Sequence, residues 1–90
     1  MRKSRSYTAE EQEFINTLTA NLPPVIARKE VGRFLGGIVA RQTLSNADAV
    51  GLGPDVAYRV GRAVTYRTES LVKWVVERFG VVRIVNGKAM

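Results

Sequence analysis

The 90-residue chain contains no cysteine and no histidine. Disulfides and thiolate zinc sites are therefore excluded, and the commonest metal ligand and neutral-pH acid–base group are missing too. Carboxylates do not fill the gap. Glu10, Glu11 and Glu13 crowd the start of one predicted helix, where the helix dipole favours them, and Glu30, Glu69 and Glu77 fall on exposed helix faces. The glycine-rich segments 36–37 and 51–53 lack the lysine and hydroxyl residue of a phosphate-binding loop and read as turns. No catalytic residue, cofactor or metal is expected. No apolar run approaches the roughly 18 residues of a membrane span, and the basic start runs into polar residues instead of an apolar signal core. The expectation is a cytoplasmic, nucleoid-associated protein without membrane contact.

What the chain does have is 46% hydrophobic residues and a net charge of +6. That apolar content supports one small core, and the charge predicts attraction to a polyanion. Residues 1–22 balance three basic residues against three acidic ones, whereas residues 23–67 hold seven basic and three acidic. The excess lies in the middle of the chain.

After a basic arm at residues 1–6, Thr8 precedes Glu11 by the three residues of a capping box, which starts a helix predicted to run to Asn21. Phe14, Ile15, Leu18 and Leu22 form its narrow apolar stripe, and Pro23 and Pro24 stop it. A brief extended piece at 25–27 leads into a helix at 28–35, carried by Val31, Phe34 and Leu35 and ended by Gly36 and Gly37. A third helix is predicted at 40–49, closed by Gly51, Gly53 and Pro54. Two short helices around a glycine turn predict a helix-turn-helix unit.

Residues 57–67 read as a β-hairpin. Placing Tyr58, Val60, Val64 and Tyr66 on one buried face requires a three-residue loop, Gly61, Arg62 and Ala63, and leaves Arg59, Thr65 and Arg67 on the outer face. Thr68 is the expected N-cap of a last helix ending at Phe79 before Gly80. Leu71, Val72, Trp74, Val75, Val76 and Phe79 cover roughly 200° of its circumference at about 100° per residue, so it must pack on two sides or on a partner. Residues 81–85 have strand-forming side chains and are expected as an edge strand or dimer contact. The predicted class is mainly α with a small β-hairpin. The parts are an arm and helix at 1–22, a central unit at 23–80 and a tail at 81–90.

The runs Arg28-Lys29-Glu30-Val31, Leu35-Gly36-Gly37, Thr43-Leu44-Ser45-Asn46, Gly51-Leu52-Gly53-Pro54, Tyr58-Arg59-Val60-Gly61-Arg62 and Val64-Thr65-Tyr66 are followed by Ser70-Leu71 and Trp74. In this order and spacing, residues 25–79 resemble the small AlpA-type and excisionase proteins with a MerR-like winged helix-turn-helix domain. The resemblance implies a recognition helix in the major groove of double-stranded DNA, a β wing on the flanking backbone or minor groove, and a role in excision of a mobile element or in promoter control. An integrase or RNA polymerase is the implied protein partner, and a homodimer or a cooperative assembly on DNA the implied state. The chain departs from the pattern in a longer turn between Leu35 and Leu44, in Ala47 where a large aromatic is common, and in the helix before residue 23 and the tail after 80.

Base-reading helices carry long donors near their N-terminal end. Arg41 suits a guanine edge and Gln42 an adenine edge, while Thr43, Ser45 and Asn46 can reach bases or phosphate, with Leu44 and Ala47 turned to the core. Arg59, Arg62 and Arg67 with Thr65 are the candidate wing contacts, and Lys29 with Arg28 the candidate phosphate contacts of the supporting helix. Tyr58, Tyr66, Trp74 and Phe34 are expected in the core. Each wing arginine alone is nearly as well explained as a solvated surface residue, and it is their placement together on one face that favours DNA. Two other functions compete: a protein-interaction module or adaptor without DNA specificity, using 69–79 and 81–85, and an RNA-binding adaptor, disfavoured by the lack of exposed aromatics among the basic residues.

Overall fold

The computed structural model describes residues 6–85, 88 and 89. The expected basic arm before Ser6 lies outside the described residues, as do positions 86, 87 and 90 of the tail. Helix α1, Ala9–Asn21, begins with the predicted capping box: Thr8 Oγ1 accepts from the Glu11 N–H at 3.1 Å, and Glu11 Oε1 accepts from the Thr8 N–H at 3.0 Å. The two prolines then carry the chain into strand β1, Val25–Ala27. A 3-10 turn at Arg28–Glu30 leads into a short helix α2, Val31–Phe34. Helix α3 is Arg41–Ala49, with Leu44 and Ala47 buried as expected. Between α2 and α3, Gly36 and Gly37 take φ of 62° and 82°, values that favour glycine, and the turn sinks Val39 into the core.

Strands β2, Ala57–Val60, and β3, Ala63–Arg67, form the hairpin, and β1 joins it as a third strand in the antiparallel order β1-β3-β2. This third strand and a shorter loop overturn the predicted hairpin faces. The loop has two residues, Gly61 and Arg62, so that Val60 pairs with Ala63, Arg59 with Val64, Tyr58 with Thr65 and Ala57 with Tyr66. Directly paired residues share a face, and a slip of one residue moves a whole strand's side chains to the other face. Ile26 of β1 pairs with Tyr66, and both are buried, which fixes their side of the sheet as the core side. Tyr58 is therefore on the outer face, 45% exposed, beside a buried Thr65. Arg59 lies on the opposite face from Thr65 and Arg67, so the predicted basic face of these three does not exist.

Helix α4, Thr68–Phe79, ends at Gly80 as predicted, but Thr68 is its first residue and the N-cap is Arg67. The Thr68 hydroxyl instead donates to the Pro23 carbonyl, and its N–H donates to the Pro24 carbonyl at 2.9 Å, which seals the entry to β1 against the start of α4. The wide apolar arc of α4 is explained by packing on two sides. Leu71, Trp74 and Val75 join Ile26, Val31, Leu35, Val39, Leu44, Ala47 and Tyr66 in the main core. Val72 and Val76 pack with Ile15 of α1, flanked by Tyr7, Phe14, Leu18 and Leu22. Phe79, at the end of the predicted apolar arc, is 54% exposed, and Phe34, expected in the core, is half-buried. The tail forms its own two-stranded ribbon, β4 at Ile84–Val85 and β5 at Lys88–Ala89.

Candidate nucleic-acid interface

The polar side of α3 follows from what its apolar side must do. Leu44 and Ala47 point into the core, so Arg41, Gln42 and Asn46 are exposed, while Ser45 is half-buried among them and Thr43 is half-buried on the shoulder away from Arg41. Gln42 Nε2 donates to Asn46 Oδ1 at 2.9 Å, one turn apart, so the two amides form one polar strip. No side chain caps the start of α3.

Beside that start, the tip of the β2–β3 hairpin meets the chain's turn out of β1. Ala27, Arg28, Lys29, Arg41, Arg62, Ala63 and Val64 line an open groove of about 220 Å³ there. Lys29, Arg41 and Arg62 are exposed and make no ion pair among the described residues. Three uncompensated cations from three elements thus meet at one groove. Arg33, by contrast, pairs with Glu30 at 2.7 Å and lies over the Phe34 ring.

The remaining predicted wing residues do not join this cluster. Arg59 stands opposite Val64 and projects from the core side of the sheet into solvent. Arg67 pairs with Val25 at the far end of β3, on the order of 17 Å from the hairpin tip at about 3.4 Å per residue. Thr65 is buried, and its hydroxyl donates to the Tyr58 carbonyl at 3.3 Å.

The sequence reading missed a three-way link behind the groove. Arg28 Nε donates to Tyr66 Oη at 2.9 Å, Arg28 Nη2 to Asp48 Oδ2 at 2.5 Å, and Tyr66 Oη to the same Asp48 oxygen at 2.5 Å. One carboxylate thereby joins the 3-10 turn after β1, helix α3 and the middle strand of the sheet. Burial, reinforced by the hydrogen bond to Asp48, pushes the Tyr66 hydroxyl up to about 12. The Tyr66 hydrogen bond, with Asp48 acting in the same sense, raises Arg28 above its ordinary value despite partial burial. Nothing local in the sequence marks these residues, because they are 18 to 38 positions apart. Gly53 lies against Asp48, and a Cβ built there would fall 1.7 Å from Asp48 Oδ1.

Among the described residues, no group of three or more acidic side chains could hold a metal ion, and no helix is long and apolar enough to cross a membrane. Trp74 donates its indole N–H to the Leu52 carbonyl at 2.8 Å and is a core residue, as expected. Compared with known proteins, the chain matches no family model, no curated protein and no solved structure.

Proposed function

We propose that this chain is a non-enzymatic protein that binds double-stranded DNA through a winged helix-turn-helix arrangement. In this reading α2 and α3 are the helix-turn-helix pair, α3 offers Arg41, Gln42, Ser45 and Asn46 to base edges in the major groove, and the β2–β3 hairpin is the wing. The observation that carries it is the meeting of Lys29, Arg41 and Arg62, all without carboxylate partners among the described residues, at the groove between α3 and the wing tip. Uncompensated cations at a concave surface suit the regular negative charge of a phosphate backbone. A role in excision of a mobile element or in promoter control follows from the family resemblance. An integrase or RNA polymerase is then the protein partner.

The test is duplex binding across a salt series. With two or three phosphates neutralised per monomer by Lys29, Arg62 and Arg41, log K should fall against log salt with a slope of about −2 to −3. Binding that ignores salt, or no duplex binding at all, would overturn the proposal. A second reading, a protein-docking module, is favoured by one observation: Val82, Ile84 and Val85 of the tail are all exposed. Capture of a protein partner by a chain that does not bind DNA would support it.

A further inference from the structure

Four cationic side chains line the groove, and Arg28 differs from the other three in having its guanidinium already engaged. Its Nε is held by Tyr66 and its Nη2 by Asp48, while Nη1 has no protein partner among the described residues. Arginine presents five N–H donors in a rigid planar fork. Fixing one edge of that plane therefore fixes the direction of the free edge as well. An exposed lysine or arginine must give up rotamer freedom on meeting a phosphate, and a side chain locked beforehand gives up little.

We propose that Arg28 is a phosphate-binding residue of the groove, oriented before DNA arrives by Asp48 and Tyr66 as positioning residues. The inference rests on the DNA-binding reading and adds to it an anchor for one backbone phosphate. As a bare charge Arg28 is largely cancelled by Asp48, so its contribution is directional hydrogen bonding instead of electrostatic attraction. The network also transmits position: Asp48 belongs to α3 and Tyr66 to the wing's inner strand, so a phosphate held by Arg28 is registered against both.

The competing account is that the three residues only hold the fold together, and variants that keep the charge separate the two. A mixed-sequence DNA duplex is titrated by anisotropy at several salt concentrations with the full chain and with Arg28→Lys, Tyr66→Phe, Asp48→Ala and Arg33→Lys, after melting curves establish a temperature at which each is folded. Arg28→Lys and Tyr66→Phe should bind about three- to tenfold more weakly with an unchanged salt slope, because the charge stays and only the geometry is lost. Arg33→Lys, whose guanidinium is paired outside the groove, should bind as the parent does. Asp48→Ala gives a test of sign: removing a carboxylate beside a basic groove should tighten binding if only charge matters, and should weaken it if Asp48 aims Arg28. If Asp48→Ala does not fold, Tyr66→Phe decides. Should the parent bind with a steep salt slope and Arg62→Ala weaken it, while Arg28→Lys and Tyr66→Phe bind like the parent, the assignment of Arg28 is overturned and the DNA-binding reading stands. A parent chain without affinity for the duplex would overturn the reading itself.

Discussion

Tyr66 and Asp48, 18 residues apart, share a hydrogen bond of 2.5 Å from the phenolic hydroxyl to Oδ2, and the tyrosine ring above it is fully buried. The bond ties the inner strand of the hairpin to the helix that presents Arg41 and Gln42. Its chemistry is legible in a pH titration.

The folded chain holds the Tyr66 proton up to about pH 12, whereas the unfolded chain releases it near the ordinary value of 10.0. The native state thus binds more protons than the unfolded state in this interval, so stability falls as pH rises. The contribution of this hydroxyl is complete below pH 10 and is lost between 10 and 12, an effect of up to about 3 kcal/mol. Denaturant melts at stepped pH should show the decline in the parent and a flatter profile in Tyr66→Phe. Equal slopes would remove Tyr66 as its source.

Gly53→Ala should destabilise the chain by about 1–3 kcal/mol, since the added methyl meets a carboxylate that Arg28 and Tyr66 hold in place. Pairing it with Asp48→Ala tests the cause. The double variant should lose less than the sum of the single losses, because the clash disappears with the carboxylate.

Tyr58→Ala and Tyr66→Ala should part company in thermal melts. Tyr66, fully buried, should cost about 3–5 kcal/mol, whereas Tyr58, 45% exposed on the outer face, should cost clearly less. Comparable losses would mean that the sheet is covered on both faces.

Arg41→Ala should weaken binding to a preferred sequence by about 1–3 kcal/mol and reduce discrimination, while Arg62→Ala should weaken all duplexes alike. Selection of preferred sequences with each variant measures this. An unchanged preference in Arg41→Ala would place α3 outside the groove that reads bases.

Replacing Arg59 and Arg62 together by alanine should flatten the salt slope by about 2 if both meet phosphate, and by about 1 if only Arg62 does. The observed faces favour the smaller value, since Arg59 lies across the sheet from Thr65 and Arg67 and does not line the groove. Both side chains are exposed, so the fold should persist.

The sequence by itself determined what depends on near neighbours. The Thr8–Glu11 capping box, the stop at the two prolines, the glycines after α2 and α4, and the inward turn of Leu44 and Ala47 are all settled within a few residues. The absence of cysteine and histidine and the excess of positive charge are likewise properties of composition. Alternation within the hairpin was not sufficient to choose its faces, because Tyr58 and Tyr66 are equally good core residues on paper. The choice came from a strand 30 or more residues away: once Ile26 pairs with Tyr66 and the loop closes over Gly61 and Arg62, Tyr58 must face out. The meeting of Lys29, Arg41 and Arg62, and the linking of Arg28 and Tyr66 through Asp48, are likewise matters of tertiary structure. Each unites segments whose proximity has no local cause, and packing of β1, α3 and α4 around one core brings them together.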